Sequence, residues 1–353
     1  MSSTVKTAKT NRYAWVDFAK GICIIGVVTL YVADYMTMQM GTAGWMQYWT
    51  DFARPFRMPD FFLLSGLFLA RVIDRPWRDY LDKKVVHYLY FYVLWTTIFF
   101  AARVATEGTA ASEPGQPDES LLAWIVWKPF AMLWFIQALP IMFLFTRLTR
   151  RVPWWLMLPV AALLQMFPLG SEDWVMVDHL CVRYVYFYVG YAFARHVFRL
   201  ADGAIERPRV ALVAVLVWIV VNAYMVHSGL SKSQGVSLLL GLVGTAAVIT
   251  VGTLLSRVDW MDWLRYLGQH SIVTYLGFFI PMQAFLKLAQ SMPVIPDPGT
   301  TAALISICSV LCAMVLFWAT RNTSASFLFR RPEWAHLPGL APKARPAASV
   351  AAD

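Results

Sequence analysis

Apolar residues along this chain gather into long runs separated by short polar stretches, and the runs have the length of membrane spans rather than of soluble core helices. Stretches of roughly 17–25 residues place spans near 15–36, 56–73, 86–104, 129–147, 153–169, 180–198, 209–228, 235–256, 268–288 and 301–320. The pattern predicts an all-α integral membrane protein, a bundle of about ten transmembrane helices. The fifth run is short and carries Pro153, Pro159 and Pro168, so a kinked or re-entrant segment is the alternative there. In the first run Asp17, Lys20, Tyr31 and Asp34 fall within roughly 100° of one another around a helix, while Ile22, Ile25 and Val32 point elsewhere. That helix is expected to show lipid one face and something polar the other. Ionisable groups at membrane depth are costly, and they persist in bundle interiors, aqueous cavities or reaction sites.

Composition supports the membrane reading and explains the charge. Of 353 residues, 59% are hydrophobic and 14% charged, with a net charge of +9. No Lys/Arg run is interleaved with exposed aromatics as in a nucleic-acid-binding domain, and no such partner is expected. When loops are assigned alternately to the two sides, Arg71, Arg75, Arg78, Lys83, Lys84, Arg147, Arg150, Arg195, Arg207 and Arg257 share a side with the basic termini. By the positive-inside bias that side is cytoplasmic, and so are both termini. The expected organisation is a cytoplasmic segment 1–14, a ten-span domain 15–320 and a disordered cytoplasmic tail 321–353, with 105–120 as a flexible external loop. The first run is too long for a signal-peptide core and reads as an uncleaved span of a bacterial inner-membrane protein. Cys23, Cys181, Cys308 and Cys312 lie in apolar runs, where a thiol acts as a small hydrophobe. Neither a disulfide framework nor a metal site is implied.

Three stretches carry candidate chemistry. Lys20 and Tyr31 are about 16 Å apart along the helix axis but only about 20° apart in azimuth, so they share a wall. The alternative is interfacial anchoring, with Lys20 snorkelling beside Asp17 and Tyr31 in an aromatic belt. Arg75-Pro76-Trp77-Arg78 stands at the entry to the third span, with Asp74 placed to cap a helix whose first turn holds Pro76. Two guanidinium groups at this spacing suit a polyanion, and positive-inside anchoring with Lys83 and Lys84 is the alternative. In Phe56-Arg57-Met58-Pro59-Asp60-Phe61-Phe62-Leu63-Leu64-Ser65-Gly66-Leu67-Phe68, Arg57 and Asp60 are expected at the outer rim, where they would orient a hydroxylated acceptor. Ser65-Gly66 suits close helix packing. His179, beside Asp178, is a further acceptor-side candidate against the alternative of a solvated loop histidine.

Taken together, these stretches resemble the membrane acyltransferase family 3, which includes fucose 4-O-acetylase-like and other sugar O-acyltransferases. Leu133-Trp134-Phe135-Ile136 and Leu267-Gly268-Gln269-His270-Ser271-Ile272-Val273-Thr274-Tyr275-Leu276 look like further landmarks, and the resemblance spans about residues 12–320. In that family a basic residue in the first span is followed eleven positions on by a histidine essential for acyl transfer, and an Arg-x-x-Arg pair holds acyl-CoA. Lys20 fits the basic position, Arg75 and Arg78 fit the pair, and Tyr31 stands where the histidine would be. A phenol near pKa 10 accepts a proton at neutral pH far less readily than an imidazole near 6.5. Asp34, one turn on, is the alternative base, with Tyr31 positioning or relaying.

The resemblance implies an O-acyltransferase that moves an acyl group, acetyl first among the candidates, from cytoplasmic acyl-CoA to a sugar hydroxyl of a cell-envelope or exported glycan. Tyr31 and Asp34 are then catalytic, Lys20, Arg75 and Arg78 hold acyl-CoA, and Arg57, Asp60 and His179 face the acceptor. No bound cofactor or metal is expected. The implied partners are acyl-CoA, a glycan or lipid-linked sugar, the bilayer, and a second copy of the chain or an export complex. Two alternatives stand beside it: a degenerate member that binds or scaffolds, and a small-molecule transporter or flippase.

Overall fold

The computed structural model describes residues 14–108, 120–126, 130–169, 175–292 and 295–340. Nearly all of the expected N-terminal segment, residues 109–119 of the expected external loop, and 341–353 of the tail lie outside the described residues. Among the described residues the secondary structure is helical throughout. The single domain expected over 15–320 is divided into two compact units. One joins the chain up to Arg71 to Leu148–Ala319, and the other joins Val72–Arg147 to Thr320 and the residues after it.

In the first unit, α1 (Ala14–Met40) is the central element. It packs on α2 (Met46–Leu67), α11 (Val236–Leu255) and α12 (Asp262–Gln269). Around them stand α7 (Trp154–Met166), α8 (Val175–Ala192), α9 (Ala194–Glu206) and α10 (Pro208–His227). The unit is completed by α13 (Ser271–Gly277), α14 (Phe279–Ser291) and α15 (Pro298–Thr320). The expectation that α1 turns one face to lipid does not hold. Ala19, Ile24, Val32 and Ala33, pointing in different directions around the helix, are all fully buried. Small residues make this enclosure possible. A Cβ on Gly268 would collide with the backbone carbonyl of Asp17, and one on Gly66 with that of Phe187, so α12 meets α1 and α8 meets α2 nearly backbone to backbone.

Sequence periodicity placed the start of the second span ten residues late. The helix begins at Met46 and carries both Pro55 and Pro59 inside it. Such prolines are tolerated where neighbouring helices meet the loosened backbone. Asn222 of α10, fully buried, donates its amide to the carbonyl of Phe52 over 2.9 Å beside the first of them. The ninth expected span is likewise broken. α12 ends at Gln269, and α13 and α14 meet at a bend of 46°, where Pro281 removes the donor that Gly277 would otherwise bond.

Among the described residues, five helices are long and apolar enough to cross a membrane, or six if the bent pair is one span. They are Ala14–Met40, Trp77–Thr106, Pro208–His227, Val236–Leu255 and Pro298–Thr320. Helices occupy the other expected positions but fall short. α6 (Trp134–Leu148) and α7 have 15 and 13 residues, a rise of only about 20 Å against a hydrocarbon core of about 30 Å.

The second unit begins with α3 (Trp77–Leu81), whose N-cap is Pro76 without a side-chain cap, so Asp74 does not play the capping part expected of it. A π-helical turn follows at Asp82–Val86, closed by the His87 N–H bonding back five residues to the Asp82 carbonyl. Beyond it run α4 (His87–Glu107), α5 (Leu121–Val126) and most of α6. Residues 321–340, expected to be disordered, are folded. They form 3-10 turns at Ser324–Leu328 and Glu333–Ala335. Tyr90 and Trp95 of α4 donate to the carbonyls of Phe327 and Leu328, each at 3.0 Å. Low hydropathy hid this order, because the segment is held by hydrogen bonds and by isolated aromatics such as Phe329 against Trp95 rather than by a long apolar run.

Candidate functional site

The polar stripe of α1 divides into two groups. Toward the N-terminal end, Lys20 is near Asp17 and Cys23, and Gln269 of α12 donates to the Asp17 carboxylate over 3.1 Å. The Cys23 thiol donates to Asp60 of α2 at 3.6 Å, and Thr245 of α11 reaches the same carboxylate. Cys23 is thus part of a polar contact rather than the apolar filler expected. Asp60 is only 1% exposed, in mid-helix, and not at an outer rim.

Toward the C-terminal end, Arg57 of α2 lies in the electrostatic neighbourhood of Tyr31, Asp34 and Arg183. Its guanidinium is also buried, and its Nε and Nη1 have no hydrogen-bond partner. The aliphatic stem crosses α1 at Gly26, where an added Cβ would lie 3.5 Å from Cγ and Cδ. Arg183 of α8 approaches Tyr31 in turn and contacts the His179 ring nitrogen Nδ1 at 3.1 Å. His179 is therefore on a helix, not in a solvated loop. Asp34 is exposed and Tyr31 half-buried, so this group opens to the surface at one side. Arg57 and Asp60, three residues apart, serve different groups: one turns toward Tyr31 and the other toward Cys23. Of the predicted residues, the fold brings Tyr31, Asp34, Arg57 and, through Arg183, His179 together. Arg183, Cys23 and Thr245 were missed. The first of these was visible as a cation inside an apolar run.

An apolar cavity of about 600 Å³ lies between α1, α12 and α15, walled by Ile25, Val28, Leu267, Ile307, Met314 and Trp318 among others. Its polar neighbours are internally satisfied. Ser306 donates to the Ala302 carbonyl, and the Trp318 indole donates to the Tyr266 hydroxyl at 2.7 Å.

In the second unit, Arg75 and Arg78 are both exposed. Arg75 pairs with Asp79 at 3.4 Å, and Lys83 pairs with the same carboxylate at 2.7 Å. Arg147 of α6, nearly buried, stacks over Trp77 and Tyr80 with its guanidinium carbon 4.0 and 4.2 Å from the ring centroids. It also donates to the Arg75 carbonyl, so it props the Arg-Pro-Trp-Arg turn from beneath. The Tyr80 hydroxyl donates to the Phe143 carbonyl at 2.7 Å and anchors the other side. Arg78 donates to the Pro338 carbonyl at 3.0 Å.

Outside the membrane-spanning helices, Asp297 accepts from the Thr300 hydroxyl and backbone N–H and from the Trp45 indole, and these bonds hold its carboxyl below the ordinary range. Among the described residues no cluster of three or more His, Cys, Asp or Glu side chains could hold a metal ion.

Several apolar helices around buried polar side chains, Arg57 and Asp60 among them, define a multi-pass membrane protein. This chain belongs to the membrane acyltransferase family 3: the family's model, described as an acyltransferase domain, matches residues 13–319. It is also similar to the inner membrane protein YcfT of Escherichia coli (strain K12), with 31% identity over 86 residues, or 21% of this chain and 24% of that protein. The chain thus matches about a quarter of that relative's length. No solved structure matches it.

Proposed function

We propose that this protein is an O-acyltransferase of the bacterial inner membrane, with ten passes and both termini in the cytoplasm. It moves an acyl group, taken here to be acetyl, from cytoplasmic acyl-CoA to a sugar hydroxyl of a cell-envelope or exported glycan. The observation that carries the reading is the convergence of Tyr31, Asp34, Arg57 and Arg183 inside a chain of the acyltransferase family. The acceptor oxygen attacks the thioester carbonyl, the new C–O bond replaces the C–S bond, and the hydroxyl proton ends on the CoA sulfur. Asp34 takes that proton first, and Tyr31 orients the hydroxyl. Arg57, buried and with unpaired N–H groups, donates to the carbonyl oxygen as negative charge builds on it. Arg183 and His179 hold the acceptor, and Asp60 with Cys23 fixes α2 against α1. Lys20, Arg75 and Arg78 are assigned to the CoA phosphates, for which guanidinium groups are well suited. The apolar cavity suits the alkyl part of a lipid-linked acceptor.

The test is binding of acetyl-CoA to the purified protein and its loss in Arg75→Ala and Arg78→Ala. Absence of binding to the intact protein sinks the reading. Tyr31 at the histidine position favours a second reading, a member that binds donor or glycan without transfer. Activity in the unmodified protein that disappears in Tyr31→Phe excludes it, whereas activity appearing only in Tyr31→His establishes it.

A further inference from the structure

The segment 321–340 lies beyond the residues matched to the family, yet it is fastened beside the Arg75/Arg78 motif through one buried carboxylate. Asp82 is 1% exposed, and both of its oxygens are engaged. Oδ2 accepts from the Arg331 guanidinium and contacts Nδ1 of His336 at 3.1 Å, while Oδ1 accepts from the Leu337 N–H at 2.8 Å. Arg331 donates in addition to the Asp82 carbonyl at 2.7 Å. The Arg331 and Asp82 side chains are almost completely shielded from solvent.

Asp82 follows Arg78 by four residues, the spacing at which a helix ordinarily sets an acid beside a base. That pair does not form. Asp82 turns inward to Arg331, and Arg78 stays exposed, leaning on the neutral carbonyl of Pro338. Arg75, by contrast, already shares Asp79 with Lys83. A phosphate competes easily with a neutral carbonyl for a guanidinium and poorly with a carboxylate.

We infer that the C-terminal strap is a positioning element of the anion site: by taking up Asp82 through Arg331, His336 and the Leu337 N–H, it keeps Arg78 available to a phosphate-bearing ligand. The inference rests on the assignment of Arg78 to the CoA phosphates. Arg331 touches no ligand and acts through Asp82 and Arg78.

Coenzyme A binding to the full-length protein in detergent, measured by calorimetry, tests this, with pantetheine as the phosphate-free comparison. Arg331→Gln frees Asp82 and is expected to weaken CoA binding roughly three- to tenfold without altering any response to pantetheine. The double variant Asp82→Asn/Arg331→Gln removes the competing carboxylate and is expected to restore affinity. A strap that merely supports the fold gives the opposite pattern, because the second substitution takes away yet another of its bonds. Melting of each variant shows whether it is folded, and Asp82→Asn alone, expected to bind CoA at least as well as the unmodified protein, tests the same point if Arg331→Gln is not. Wild-type affinity in folded Arg331→Gln, weakened affinity in Asp82→Asn, or a double variant as weak as the single one overturns the strap's role while leaving the donor assignment standing. Failure of CoA to bind the unmodified protein, or indifference to Arg78→Ala, overturns both.

Discussion

Arg57 in the first unit and Arg78 in the second are the same side chain under opposite conditions. Arg57 is buried among helices with two guanidinium nitrogens unpaired, whereas Arg78 is exposed and rests on a carbonyl oxygen. An uncompensated buried cation carries a desolvation penalty of several kcal/mol, so a fold keeps one only if something offsets it. An exposed arginine costs little and gains little until a ligand arrives. In the proposed function the buried group would stabilise the reacting atoms, and the exposed one would grip a charged handle.

This contrast orders the expected effects of substitution. Gly268→Leu tests the enclosure on which the buried site depends. With the Asp17 carbonyl in its way, the new side chain should destabilise the first unit by about 3 kcal/mol, read as a lowered unfolding midpoint in detergent. Arg57→Gln should leave CoA affinity intact but slow acyl-CoA turnover by about a hundredfold, the scale of losing one preorganised donor. If turnover persists while binding falls, the division between the two arginines is wrong. Arg78→Ala should do the reverse, weakening CoA binding about tenfold in a manner that fades as salt is raised. The smallest effect should come from Asp297. Its folded carboxyl titrates below the unfolded value of about 4, so the stability it contributes is present above that value and is lost as pH falls through the folded pKa. Asp297→Asn should flatten that acid-side loss, which a melting series between neutral and acidic pH would reveal.

The apolar runs made the positions of the helices legible, because membrane spans need length and little else. Their ends were less so. The second helix starts at Met46, ahead of the expected 56, and Asn222 of α10 meets the Phe52 carbonyl in the stretch that was left out. Among the candidate residues, Lys20, Tyr31, Arg75 and Arg78 were picked out by short-range spacing. Arg183 and Cys23 acquire meaning only from partners on other helices, which no local pattern encodes. The strap was hidden for the same reason: Arg331 and Asp82 are 249 residues apart in the chain, with most of the apolar runs between them.

The π turn at Asp82–Val86 gives the second unit a different kind of sensitivity. It accommodates one residue more than an α-helical turn would. Deleting any single residue there would let the backbone close into an ordinary helix and rotate everything before it by about 100° relative to α4. The heading of Arg75 and Arg78 is therefore written in chain length rather than in side-chain identity, and a frame-preserving deletion, not a point substitution, is the change that would re-aim it.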